Sequence, residues 1–234
     1  MLIKGLQKLT LIDYPNKIAA TIFIFGCNLR CPYCHNPELI HESEAKKIKT
    51  YSKEEILRFL KERCDFLEGI CLTGGEPTLS KDLPSLIKSI KKIGYAIKLD
   101  TNGTNPRMLK ELLKKKLIDY AAMDIKAPLE RYEKVVNAPV NKNDIEESIN
   151  TIKKLGNYEF RTTIVPGLLD KQDIIEIARW IKPARAYYLQ QFRPINCLDK
   201  SYNKKKPYPL EQLQEMRDAV KHFFQICEIR ETTY

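Results

Sequence analysis

Three cysteines fall within one short stretch of this chain, Cys27, Cys31 and Cys34 in "GCNLRCPYCHNPEL" (Gly26 to Leu39), spaced C-x₃-C-x₂-C. Clustered thiolates select zinc or iron–sulfur centres. A structural zinc site closes with four ligands, commonly as two C-x₂-C pairs or cysteine–histidine pairs. Here there is one triplet and no second pair, with His41 as a candidate fourth ligand. A four-iron cluster serving electron transfer alone would need one more cysteine. Three cysteines would leave one iron open to bind a substrate or cofactor, as catalytic metal sites do. The triplet by itself leaves an iron–sulfur or zinc binding module standing beside a catalytic cluster.

The rest of the chain must position this loop. Hydrophobic periodicity alternates strands with helices. Strands are predicted at Ile18–Phe25, Gly69–Thr73, Tyr95–Thr101, Tyr120–Lys126, Tyr158–Pro166 and Ala186–Phe192, with a short last one at Ile226–Arg230. Helices are predicted at Ser52–Cys64, Leu83–Ile93, Pro106–Lys116, Asp144–Leu155, Asp173–Ile181 and Leu210–Phe224. Ser52 followed by Glu55 is a capping-box pattern, and Pro106 suits a first helical turn. Six successive β-α units argue a parallel sheet with helices outside it. An open doubly wound sheet and a barrel both satisfy that pattern. A complete eight-unit barrel typically needs about 250 residues, so six units with a long first loop fit a partial barrel better. The 234 residues are read as one domain, 1–234.

Composition sets the bounds. Hydrophobic content of 43% and charged content of 30% are ordinary for a soluble protein. The first residues, "MLIKGLQKLTLIDYPNK", carry no signal-peptide pattern, and no apolar run approaches a membrane span, so no membrane association is expected. Seven cysteines, an odd number with three clustered, suit a reducing cytoplasm better than a disulfide framework. The net charge of +10 is spread over many lysine pairs and triplets. It is read first as a solvated surface, with nucleic acid and a basic face for an acidic protein partner as the lesser alternatives.

In either architecture an active site lies beyond the C-terminal ends of the strands. After the first strand come the cysteines, and after the second "GGEP" (Gly74 to Pro77). The third is followed by "DTNG" (Asp100 to Gly103), and the fourth ends in "MDIK" with Asp124 and Lys126. The fifth ends in "VPG" (Val165 to Gly167), with Arg161 inside it, and the sixth in "QQFR" (Gln190 to Arg193). Six strand ends thus bring glycines or polar groups to one rim. Each has a plainer reading: a turn at Gly74–Gly75, a cap at Asp100, an ion pair of Asp124 with Lys126, a loop histidine at His35, a packing aromatic at Tyr33. Cys64 and Cys71 read as small hydrophobes, and Cys197 sits in the loop after the sixth strand.

With these motifs in order, the chain resembles the radical S-adenosylmethionine superfamily. The triplet with an aromatic before its last cysteine and "GGEP" carry the superfamily resemblance. "GLQKLTLIDYPNKIAATIFIFGCNLRCPYCHNPEL", "LTGGEPTL", "LDTNGT", "MDIKAP" and "RTTIVPG" look like the glycyl-radical-enzyme activating enzymes, nearest the anaerobic ribonucleoside-triphosphate reductase activating proteins. The resemblance covers essentially the whole chain. It implies an oxidoreductase with an α/β partial (β/α)6 barrel of the radical SAM type, a [4Fe–4S] cluster and S-adenosylmethionine. In the family the reduced cluster cleaves the sulfonium, and the resulting radical takes a hydrogen atom from a glycine of a partner glycyl-radical enzyme.

Carried over residue by residue, the resemblance implies Cys27, Cys31 and Cys34 as cluster ligands, with Tyr33 and His35 against the cofactor. Gly74, Gly75 and Glu76 would receive the cofactor's amino group. Asp100, Thr101 and Asp124 match positions that hold a monovalent cation beside its carboxylate. Lys126 and Arg161 would face the carboxylate or ribose. The chain lacks the inserted ferredoxin-like segment of many such activases, so an external flavodoxin or ferredoxin would have to reduce the site directly. The loop Asn196–Pro209, "NCLDKSYNKKKPYP", is expected to be an exposed basic and aromatic docking loop. The runner-up is a small-metabolite radical S-adenosylmethionine enzyme, in deazapurine or cofactor biosynthesis.

Overall fold

The computed structural model describes residues 1–230. It contains one eight-stranded sheet whose strands lie side by side in chain order. They are β1 (Ile3–Thr10), β2 (Ala19–Ile24), β3 (Gly69–Gly74), β4 (Ala96–Thr101), β5 (Tyr120–Asp124), β6 (Tyr158–Ile164), β7 (Ala184–Gln191) and β8 (Phe224–Arg230). β1 pairs antiparallel with β2, and every later pair is parallel. β1 and β8 are the two edges of the sheet.

The helices are α1 (Glu42–Ala45), α2 (Lys53–Lys61), α3 (Leu83–Lys91), α4 (Pro106–Lys114), α5 (Tyr132–Val136), α6 (Lys142–Ile152), α7 (Lys171–Ile181) and α8 (Leu210–Val220). Their starts follow local chemistry. Ser52 and Glu55 form the expected reciprocal capping box on α2, Asn105 caps α4 ahead of Pro106, and Asp170 caps α7. Each longer helix turns an apolar stripe onto the sheet, as with Leu86, Ile87 and Ile90 of α3 or Ile174, Ile177 and Ile181 of α7, all buried. Among the described residues no helix is long and apolar enough to cross a membrane.

The sheet curls. Leu198 N–H donates to the Cys34 carbonyl and Asp199 N–H to the Pro32 carbonyl, each at 2.9 Å. These bonds join the loop after β7 to the loop after β2, which lie at opposite sides of the sheet and can meet only if it closes most of the way to a barrel. At the other end Tyr14 and Tyr120 pack with ring centroids 6.0 Å apart, and Tyr14 is buried.

The six predicted β-α units are present, and β8 begins two residues earlier than expected. β1, α1 and α5 were not expected. β1 carries Lys4, Gly5, Gln7 and Lys8, with register shifts on either side of its central pairs, so its sequence lacks a strand's alternation. Cys71 is buried as expected, but Cys64 is exposed in the turn after α2. The Asn196–Pro209 loop is half anchored. Tyr202 packs edge-on against Phe192 at 6.4 Å, and Tyr208 Oη donates to the Leu169 carbonyl at 3.1 Å. Its aromatic residues therefore hold the loop down, while Lys200, Lys204 and Lys206 stay exposed.

Candidate active site

The cysteine loop leaves β2 through Gly26, whose φ of +103° suits a residue without a Cβ. Gly26 N–H donates to the Leu39 carbonyl at 2.9 Å and closes the loop. Cys34 N–H turns back to the Cys31 carbonyl at 3.0 Å. Arg30 fixes the turn from inside, donating to the carbonyls of Cys27 at 2.7 Å and Leu29 at 2.8 Å. Cys31 is buried and Cys27 and Cys34 partly so. Leu29 N–H lies 3.4 Å from Cys27 Sγ and Asn102 Nδ2 3.9 Å from it, so that sulfur already faces two donors. Burial pushes all three thiols up, Cys31 to about 12, so a metal must displace their protons to bind. Among the described residues no three His, Cys, Asp or Glu side chains are grouped as a single-ion site requires. The thiols line a space without converging on one point.

That space is a cavity of about 290 Å³. Its walls include Cys27, Cys31, Tyr33, Cys34, His35, Gly74, Gly75, Asp100, Thr101, Asp124, Lys126 and Arg161, every candidate site residue except Glu76. The Tyr33 hydroxyl is buried and has no hydrogen-bond partner among the described residues. His35 Nε2 sits 2.8 Å from the Arg193 carbonyl, and its ring stacks on Phe192 at 6.2 Å. Burial lowers its pKa, against the hydrogen bond to the Arg193 carbonyl, and so favours the neutral imidazole.

Gly74 and Gly75 are glycines because the loop after β3 runs against the backbone of β2. A Cβ on Gly74, at φ +127°, would meet the Ile24 carbonyl oxygen at 2.3 Å. Glu76 turns inward. Its Oε1 accepts from Thr78 N at 3.1 Å, Thr78 Oγ1 at 2.5 Å and Thr101 Oγ1 at 2.8 Å, and Oε2 accepts from Asn102 N at 2.5 Å. Its carboxylate therefore ties the β3 loop to the β4 loop and does not line the cavity, whereas the resemblance implies that it receives the cofactor's amino group. Burial pushes its pKa up against those hydrogen bonds.

One wall of the cavity, formed by Asp100, Asp124, Lys126 and Arg161, belongs to a longer ladder of alternating charges. Arg161 Nε donates to Asp124 Oδ1 at 2.9 Å and its NH1 to Asp100 Oδ2 at 3.3 Å. Lys126 Nζ meets Asp124 Oδ2 at 2.9 Å, and the buried Lys98 Nζ donates to Asp100 Oδ1. Arg161 also approaches Glu159 at 3.9 Å. Glu159 holds Arg230 in a two-pronged contact at 2.5 and 2.7 Å. Burial raises the carboxyls of Asp100 and Asp124, but the surrounding cations outweigh it and hold both below the usual carboxylate range.

Sequence reasoning assigned no role to Asn102, Thr163 or Gln190, which also line the cavity, nor to Lys98, Glu159 and Arg230. Lys98 and Glu159 lie two residues before Asp100 and Arg161, so each shares its partner's inward face, and that spacing could have found them. Arg230 reaches the ladder from the far end of the chain and leaves no local signal. Cys197 is buried and does not line the cavity.

The donor set fits an iron–sulfur cluster: three thiols beside one open cavity, with N–H groups already aimed at a sulfur. The remaining walls, glycine backbone on one side and Lys126 and Arg161 on the other, fit a zwitterionic amino-acid moiety.

Comparison with known proteins agrees. Residues 21–181 match the Radical SAM superfamily. The chain is 39% identical to a Methanocaldococcus jannaschii protein provisionally named a glycyl-radical enzyme activating enzyme, over 98% of this chain and 95% of that protein. It is 28% identical to the pyruvate formate-lyase-activating enzyme of Clostridium pasteurianum, over 84% of this chain and 82% of that enzyme. Among solved structures, Streptococcus suis SuiB bound to its precursor peptide SuiA aligns at a TM-score of 0.67 and 15% identity, over 88% of this chain. The chain spans about half of SuiB, 47% of its length, and the likeness is one of fold.

Proposed function

Because the chain belongs to the Radical SAM superfamily, we propose that it activates a glycyl-radical enzyme, with anaerobic ribonucleotide reductase as the partner. Membership brings a [4Fe–4S] cluster and S-adenosylmethionine as cofactors. The observation that carries the activase reading is the end-to-end similarity at 39% identity to a protein named for that activity.

When bound, cluster and cofactor supply one-electron reductive cleavage of a carbon–sulfur bond and so a carbon-centred radical able to take a hydrogen atom from a glycine α-carbon. The protein holds, orients and shields them. In this reading Cys27, Cys31 and Cys34 each bind one iron. Gly74 and Gly75 present bare backbone to the cofactor's amine. Lys126 and Arg161 face its carboxylate, and Tyr33 offers its unpartnered hydroxyl. Glu76 acts from behind by fixing the loops that carry Gly75 and Asn102. His35, pinned to the Arg193 carbonyl, couples the cluster loop to the loop after β7. A flavodoxin or ferredoxin donates the electron, and the exposed lysines at 200, 204 and 206 receive the acidic surface of a protein partner. An oxygen-sensitive centre with seven free cysteines belongs in a reducing cytoplasm.

The test is partner dependence. Holoenzyme, reductant and S-adenosylmethionine should release 5′-deoxyadenosine in an amount that tracks the reductase activated and stops when all of it is active. Sustained turnover of a small molecule without the reductase would give the assignment to a metabolite-converting enzyme.

A further inference from the structure

The family resemblance calls for a monovalent cation at Asp100, Thr101 and Asp124. The residues present do not fit one. All four carboxylate oxygens of the two aspartates already face protein cations. Asp100 Oδ1 takes Lys98 Nζ and Oδ2 takes Arg161 NH1 at 3.3 Å. Asp124 Oδ1 takes Arg161 Nε and Oδ2 takes Lys126 Nζ, both at 2.9 Å. Thr101 Oγ1 is turned away, donating to Glu76 at 2.8 Å and accepting from Gly103 N–H at 3.1 Å.

Charge bookkeeping points the same way. Two carboxylates meet the three cations Lys98, Lys126 and Arg161, leaving one positive charge over. Glu159 and Arg230 below them cancel each other. A further cation entering this group would meet a net positive field in a site largely shut off from water, where like charges repel strongly. Arg161 and Lys126 line the cavity, whereas Lys98 does not. The side chain of Lys98 is 2% exposed. It comes up beneath Asp100, with Cys71 Sγ 3.8 Å from its ammonium. A buried lysine keeps its charge only with such a partner, and Asp100 raises the Lys98 pKa against the effect of burial.

We infer that Lys98 is a built-in counter-ion: its tethered ammonium does the work of a soluble monovalent cation, so the cofactor site functions without one. Lys98 is a positioning residue in this scheme. It satisfies Asp100 from below and leaves the positive surplus of Arg161 and Lys126 free to face an incoming carboxylate. Without Lys98 the two aspartates would balance Arg161 and Lys126 completely, and the cofactor carboxylate would find no charge to compensate it.

The inference rests on the cavity being the S-adenosylmethionine site, and the test separates the two. S-adenosylmethionine is titrated calorimetrically into anaerobic cluster-loaded protein in buffers whose only cation is potassium, sodium or tetramethylammonium, the last too bulky to enter the site. The wild type should bind equally, within about twofold, in all three, because no small cation is needed. Lys98→Met should bind roughly tenfold or more weakly in tetramethylammonium, the size expected for one lost charge-assisted contact. Potassium or sodium should restore that affinity by occupying the vacated position, a rescue that a purely structural loss would not show. A wild type that binds only with potassium or sodium present overturns the inference while leaving the cavity reading intact. So does a folded Lys98→Met protein that matches the wild type in tetramethylammonium. Absence of binding in every buffer removes the cavity reading, and this inference with it. Should Lys98→Met fail to fold by circular dichroism, the wild-type comparison alone decides.

Discussion

Gly75 passes so close to Gly26 that a Cβ on Gly75 would stand 2.2 Å from the Gly26 carbonyl oxygen. The next residue, Glu76, donates its N–H to that same oxygen at 2.7 Å. The glycine loop after β3 and the cysteine loop after β2 are thus one backbone-bonded unit with no room for a side chain between them.

Gly75→Ala should therefore disturb both loops. Overpacking of this kind costs about 1–3 kcal/mol, and the shift falls next to Cys27, whose N lies 3.1 Å from the same hypothetical Cβ. Lower melting temperature and reduced iron content after anaerobic reconstitution are expected. A variant with native melting and full iron would show that the loops are not coupled.

Cys27→Ala, Cys31→Ala and Cys34→Ala should each abolish the brown, roughly four-iron cluster. Cys64→Ala, Cys71→Ala and Cys197→Ala should retain it, because Cys64 is exposed and the other two are buried away from the cavity walls. Iron and sulfide analysis reads the difference. Loss of the cluster in Cys197→Ala protein of native fold would give that residue a place at the metal.

Glu76→Ala should lower stability as well as cofactor affinity, since four donors lose one buried acceptor. The milder Glu76→Gln must set an amide N–H₂ against a donor, and loss of one charge-assisted bond costs about 1.5–3 kcal/mol. Thermal melts and S-adenosylmethionine titrations should fall together. Unchanged melting with weakened binding would mean that Glu76 touches the cofactor directly.

The charge ladder sets an acid limit. Asp100, Asp124 and Glu159 have carboxyls held below their usual range by neighbouring cations that outweigh burial. For depressed carboxyls the stabilisation is present above the unfolded-state pKa of about 4 and is lost as pH falls from there towards the folded-state values. Glu76, whose pKa is raised, contributes in the opposite sense, losing stabilisation as pH rises through its folded value. Three carboxyls against one predict falling stability below about pH 4. Glu159→Gln should cost about 3–5 kcal/mol near neutral pH by leaving Arg161 and Arg230 against each other, and should flatten the acid limb. A denaturant series across pH checks both, and an unaltered acid limb would remove Glu159 from the ladder.

Much of this was legible in the sequence because it is local. The capping box at Ser52 and Glu55, the apolar spacing of α3 and α7, and the polar residues at strand ends are all patterns readable within a few neighbouring positions, even where their partners, as with Arg161 and Asp100, lie far apart in the chain. β1 escaped because an edge strand paired on one side needs little apolar character. The direction of Glu76 escaped because its donors, Thr78, Thr101 and Asn102, converge from two loops. The aromatic residues of the Asn196–Pro209 loop read as surface by composition, yet Tyr202 and Tyr208 pack inward on Phe192 and Leu169.

In the proposed function the radical ends on a glycine of a partner protein. The direct measurement is electron paramagnetic resonance of anaerobic ribonucleotide reductase after incubation with reduced holoenzyme and S-adenosylmethionine. A doublet is expected on the reductase, collapsing towards a singlet when its glycines carry deuterium at the α-carbon. No reductase radical from an enzyme that cleaves S-adenosylmethionine while turning over a small molecule would contradict it.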